Sequence, residues 1–137
     1  MTKYRARNAR IMSDRTGTSG IAKATGDPGV ALAISQTKSV ATTVSAKFGA
    51  SGEVISAEVG WNITGSSSIS ISGSWKVPKI NNSKKVKTGT LTAYAIYKVK
   101  SFVVDKMAWN STKWEYQGTG NTSKAYGVSF KKTFTYQ

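Results

Sequence analysis

Apolar and polar residues exchange places along this chain with a period of two. In "SSSISISGSWKVP", Ile69, Ile71, Gly73, Trp75 and Val77 fall on one parity and Ser68, Ser70, Ser72, Ser74 and Lys76 on the other. Val40, Thr42, Val44, Ala46 and Phe48 share a face earlier in the chain, and Ile55, Ala57, Val59, Trp61 and Ile63 share the next. Near the end, Tyr126, Val128, Phe130, Phe134 and Tyr136 alternate with Ala125, Gly127, Ser129, Lys131, Thr133 and Thr135. Successive strand side chains point to opposite faces, so these runs predict half-buried antiparallel strands over 39–48, 54–64 and 67–77 and in the C-terminal stretch. Leu91 to Val104 carries apolar residues on both parities, which predicts a central strand covered on both faces. "PGVALAIS" predicts a short strand; a helix around 30–47 competes because alanine favours it, but the Thr, Val and Ser after Gln36 favour strand. Turn residues at 17–20, 26–29, 49–53, 64–66, 78–85 and 118–121 separate the runs. The expectation is an all-β chain, one domain over 1–137, forming an elongated antiparallel sandwich or meander of about eight or nine strands.

Composition narrows the chemistry sharply. The chain has 137 residues, enough for one self-sufficient core, and neither cysteine nor histidine. Disulfides, thiolate nucleophiles, Ser-His triads, the usual zinc sites and any histidine switch are therefore excluded. The six carboxylates are Asp14, Asp27, Glu53, Glu58, Asp105 and Glu115. Glu53 and Glu58 are the nearest pair, and their odd separation puts them on opposite faces of any one strand. The serine face of 66–76 has no base to activate it. No catalytic role, metal or cofactor is expected.

Charge points to polyanions. Twenty Lys and Arg against six acids give a net charge of +14, which draws a protein to anionic lipid, acidic cell-wall polymer or nucleic acid. Between Val59 and Val104 there is no acid at all, and Lys76, Lys79, Lys84, Lys85 and Lys87 lie in or beside the loop "KVPKINNSKKVK". These five are candidate contacts to a membrane or polyanion. Trp109 and Trp114, in the polar stretch "MAWNSTKWEYQGTGN", are candidate interfacial anchors or sugar-stacking platforms, whereas Trp61 and Trp75 sit on apolar faces and suit a core. Arg5, Arg7 and Arg10 form a basic N-terminal patch, either an arm for nucleic-acid backbone or part of an edge strand; Arg5 and Arg7 share a parity with Lys3, which favours the edge strand. No apolar run is long enough for a membrane-spanning helix. The opening "MTKYRARNARIMSDRTG" lacks the apolar core of a signal peptide, so the expectation is either a cytosolic chain or the mature form of a secreted one. The richness in Ser, Thr, Gly and Asn favours secretion. Sequons occur at Asn62, Asn81, Asn110 and Asn121.

The order "TKSVATTVSAKFG … ISAEVGWNITGSSSISISGSWKVP … KKVKTGTLTAYAIYKVKSFVV" resembles the Ser/Thr-rich stem and following strand of aerolysin-like β-pore-forming proteins. It is also similar to small secreted β-proteins of Gram-positive bacteria that share the "VGWN" run and the "AY..Y" strand. The resemblance spans roughly residues 26 to 104, and it implies a secreted, β-rich molecule that oligomerises and inserts a hairpin. Carried onto this chain, it implies a stem from Lys38 to Val77, with Val40, Val44, Phe48, Ile55, Val59, Trp61, Ile63, Ile69, Ile71 and Trp75 on its apolar face, and a clasping strand from Leu91 to Val104. Strands of about 9–11 alternating residues also match the length that crosses a bilayer. The chain departs from the pattern in leaving no room for a sizeable separate receptor-binding domain. Two other readings stay open: a soluble module binding cell-wall or glycan polymers, and, behind it, a nucleic-acid-coating protein using the arginines.

Overall fold

The computed structural model describes residues 2–137. The chain is mostly β-strand with one short helix, in the order β1 (Lys3–Gly26), β2 (Ala31–Ala41), β3 (Thr43–Val44), α1 (Gly52–Val59), β4 (Ser66–Lys76), β5 (Ile80–Asn81), β6 (Lys84–Met107) and β7 (Glu115–Tyr136). One sheet runs β1-β6-β7-β3, with β5 paired to β6, and a second contains only β2 and β4. β6 lies between β1 and β7, the central place expected of Leu91 to Val104. β3 is antiparallel to β7, with Thr43 opposite Ser123, and β5 is antiparallel to β6, with Ile80 opposite Lys85. β1 and β6 have 24 residues each and β7 has 22, far beyond the roughly 3–10 of ordinary strands.

Two expected turns are absent for one physical reason. Residues 17–20 continue β1 and residues 118–121 continue β7. Their glycines mark close approaches: a Cβ on Gly20 would stand 2.7 Å from Thr92 Cγ2, and one on Gly120 would stand 2.9 Å from the Phe102 ring.

The expected strand over 54–64 is corrected outright, since its first half is α1 and the rest is turn. Ser51 is the N-cap, accepting a 3.2 Å hydrogen bond from Val54 N–H, and Gly60 ends the helix at φ 87°. The strand expected over 39–48 is likewise divided: β2 stops at Ala41, Thr43 and Val44 pair with β7, and Phe48 takes φ 53°.

The chain forms two compact units. One contains the N-terminal residues through Arg15 with Ala41–Ser67 and Tyr97–Ala125; the other contains Thr16–Val40, Ser68–Ile96 and Tyr126–Gln137. The core of the first is Ala50, Ile55, Val59, Ile63, Phe102 and Val104, with Tyr4, Ala6, Ala9, Val44 and Trp61 packed around it. Lys100 Nζ donates to Val59 O at 2.7 Å and ties the end of α1 into this unit; after the helix, Trp61 Nε1 donates to Thr122 Oγ1 at 3.1 Å, and Thr122 Oγ1 in turn to Thr43 O at 2.8 Å.

In the second unit Leu32, Ile34, Ile69 and Ile71 from the small sheet are buried, as are Val86, Leu91, Ala93 and Ala95 of β6. β4 lies directly on the larger sheet. A Cβ on Gly73 would meet the Phe130 ring of β7 at 2.5 Å, and one on Gly89 of β6 would meet Trp75 at 3.0 Å.

Candidate functional site

β4 separates its two faces cleanly. Ser66, Ser68, Ser70, Ser72, Ser74 and Lys76 are exposed, whereas Ile69 and Ile71 are buried and Gly73 and Trp75 half-buried. β2 does the same less strictly, with Leu32, Ile34 and Val40 buried and Ala31, Ala33, Ser35, Thr37 and Ser39 exposed. The isoleucines of the serine-rich strand thus meet a protein core, and its hydroxyls meet water. The two strands pair with each other, and the close approaches of Gly73 to Phe130 and of Gly89 to Trp75 show side-chain packing seating this small sheet in its unit.

Of the apolar residues assigned to a stem, Val40, Ile69, Ile71 and Trp75 belong to this two-stranded sheet. Val44 is in β3, Phe48 rests on Gly118, Ile55 and Val59 are helical, and Trp61 and Ile63 follow the helix. They form no continuous apolar strand face in this state. Ile55 and Val59 are instead core residues with no exposed surface.

Lys76, Lys79, Lys84, Lys85 and Lys87 are all exposed in the second unit. Beside them runs an aromatic strip that sequence reasoning did not single out. Trp75 meets Phe134 edge-on at 5.5 Å, and Phe134 stacks on Tyr136 at 6.2 Å. Lys132 Nζ lies 5.5 Å from the Trp75 ring and Lys84 Nζ 5.5 Å from the Tyr136 ring. The shared parity of Phe134 and Tyr136 was the available signal; the pairing with Trp75 needed the fold.

The N-terminal arginines are not on a flexible arm. Residues 3–10 open β1, where Arg5 Nε lies 2.8 Å and Arg7 Nε 2.5 Å from the same Asp105 oxygen. Arg7, and then Arg5, hydrogen-bond to the Asp105 carboxylate and hold its pKa below the usual value against the opposing effect of burial. The same hydrogen bond raises Arg7. Arg5 also stacks over Trp114 at 4.5 Å, leaving that tryptophan half-buried, and Arg10 is exposed. Trp109 projects from the turn between β6 and β7 at 75% exposure.

Among the described residues no three carboxylates gather to hold a metal ion. No helix of the described residues is long and apolar enough to cross a membrane, which leaves crossing by strands untouched. No protein-family model matches the chain, and no curated protein is significantly similar to it.

Proposed function

We propose that the protein is secreted, binds anionic surfaces, and acts on membranes by oligomerising and inserting Ser/Thr-rich amphipathic strands, in the manner of the aerolysin-like proteins its stem resembles. The observation that carries this reading is a segment whose apolar spacing fits two conformations. Residues 54–63 alternate as a strand does, yet 54–59 lie in the eight-residue helix α1 and the rest form the turn after it. Isolated helices this short are unstable in water, so α1 depends on the packing of Ile55 and Val59 and the contacts of its caps. Once that packing is lost, the period-two pattern favours extension. Apolar spacing that serves a helix face and a strand face alike suits a segment that adopts two structures.

β2 and β4 supply the rest. Each has 11 residues, the length of a tilted bilayer-crossing strand. Leu32, Ile34, Ile69 and Ile71 would exchange protein core for hydrocarbon, and the serines would keep facing water. In lipid the outer backbone edges of a hairpin must be paired, because unsatisfied N–H and C=O groups there cost several kcal/mol each. Closure by neighbouring copies meets that requirement, so insertion and oligomerisation come together.

Dye release from anionic liposomes, with sizing for heat-stable oligomers, tests this reading. Leakage with a defined oligomer is expected; a monomer without leakage at every lipid composition refutes it. Trp109, exposed outside any core, supports a second reading as a soluble cell-wall or glycan-binding module. Attachment to purified cell wall that survives about 0.5 M salt, where surface charge is screened, would favour that reading.

A further inference from the structure

The β5–β6 hairpin ends in an unusual tip. Ile80 pairs with Lys85 and Asn81 with Lys84, and the two residues between them, Asn82 and Ser83, have φ of 50° and 65°. Two consecutive positive φ values define the tight turn that follows strand twist, so the tip has a set geometry. β7 braces it from the side. Asn81 Nδ2 donates to the Tyr136 hydroxyl at 2.9 Å, and Gln137 N–H donates to Lys85 O at 3.1 Å. On this braced tip Ile80 is 62% exposed, with Lys79, Lys84 and Lys85 around it. Pro28 lines the same depression as Lys79, Ile80 and Lys85, and the adjoining turn brings the nearby acid Asp27.

Granting the membrane reading above, we infer that this tip is the docking surface for an anionic phospholipid bilayer, with Ile80 entering the acyl boundary, Tyr136 at headgroup level and Lys79, Lys84 and Lys85 on lipid phosphates. Charge complementarity selects an anionic occupant, and Ile80 selects among anionic occupants. A soluble polyanion would meet the lysines and leave the isoleucine in water, whereas a bilayer interface takes the lysines, the amphipathic tyrosine ring and the apolar tip together. A second copy of the chain would bring the same lysines against these and be repelled.

The test is sedimentation of the full chain with phosphatidylserine-containing vesicles and with pure phosphatidylcholine vesicles. Each lysine near an anionic surface contributes about fivefold, so K79S/K84S/K85S should weaken binding to the anionic vesicles about a hundredfold. I80S should weaken it about tenfold through lost apolar burial, with retention on heparin unchanged. K3S/K113S/K124S removes the same charge from exposed lysines of the other unit and should leave binding within about threefold. Three results overturn the assignment: equal losses in the two triple variants, which would leave net charge alone; wild-type vesicle binding by I80S; or self-association without lipid that the tip substitutions abolish. Dye release separates this surface from the pore reading. Tip-dependent binding without leakage supports the docking surface and refutes the pore, and leakage undiminished by the tip substitutions refutes the docking surface alone.

Discussion

Removing Arg5 and Arg7 should cost far more stability than removing the carboxylate they share. The Asp105 side chain is 2% exposed, while those of Arg5 and Arg7 are 44% and 41% exposed. With alanine at both arginines, Asp105 keeps its place in the interior but loses its cations, a situation worth about 3–5 kcal/mol in buried pairs. The exposed guanidinium ends are partly screened by solvent, which places the expected loss near the lower limit, about 3 kcal/mol. Asp105→Asn is milder, because both guanidiniums can turn to water and the amide still accepts a hydrogen bond; about 1–2 kcal/mol is expected. Arg5→Ala also releases Trp114, but that cation–π contact is worth only about 0.5–1 kcal/mol. The decisive variant combines all three substitutions. If an unpaired buried charge is the cause, adding Asp105→Asn to the double arginine variant should restore about 1–2 kcal/mol. Urea unfolding followed by tryptophan fluorescence and far-UV circular dichroism measures each step. The reasoning fails if the double arginine variant is no less stable than Asp105→Asn, or if the triple variant recovers nothing.

Acid should act on the same cluster with a definite sign. Asp105 has a depressed pKa, so its contribution is complete above the unfolded carboxylate value of about 3.9 and is lost as pH falls from there through the lower folded value. The stability difference between wild type and Asp105→Asn should therefore be level from pH 7 to about 5 and shrink only below about 4, as read by urea titration at each pH. Gly73→Val would drive a side chain into the Phe130 ring and should destabilise by about 1–3 kcal/mol; an unchanged urea midpoint would show that β4 does not pack as described. Lys100→Met removes the donor to Val59 O and the cation 5.0 Å from the Trp61 ring, and should cost about 1–2 kcal/mol in thermal unfolding. Ser70→Asp lies on the wet face and should change stability by less than about 0.5 kcal/mol, yet it should raise cation selectivity in planar-bilayer recordings if the serines line a lumen.

The serine-rich strand was legible from its sequence because its two parities differ in chemistry as well as hydropathy, and only one register buries isoleucine while wetting serine. The helix was not, and the reason lies in its spacing. Ile55, Val59 and Ile63 recur every four residues, which suits one helix face and is also twice the strand period, so the apolar positions alone fit both. Ser51 and Gly60 were the discriminating signals, one capping each end, but "GASGE" also reads as a turn. Gly118 and Gly120 misled in the opposite direction, since glycine looks the same in sequence whether it turns a chain or admits an aromatic ring. The candidate surface was half legible. Its lysines follow from composition, but the ladder of Trp75, Phe134 and Tyr136 joins residues about sixty apart and had to wait for the fold.

The outward serines of β4 also bear on how this sequence is free to drift. At Ser68, Ser70, Ser72 and Ser74 the folded monomer asks only for a residue that tolerates water in a strand, a demand that Lys, Glu, Gln or Arg meets nearly as well. Selection for monomer stability alone would let these four positions scatter among large and charged residues. A demand for small neutral hydroxyls can arise only in a state where that face is crowded or lines a narrow passage. Natural variation at these four sites is therefore a record of whether the strand has ever had to work outside the monomer, written where the monomer itself is indifferent.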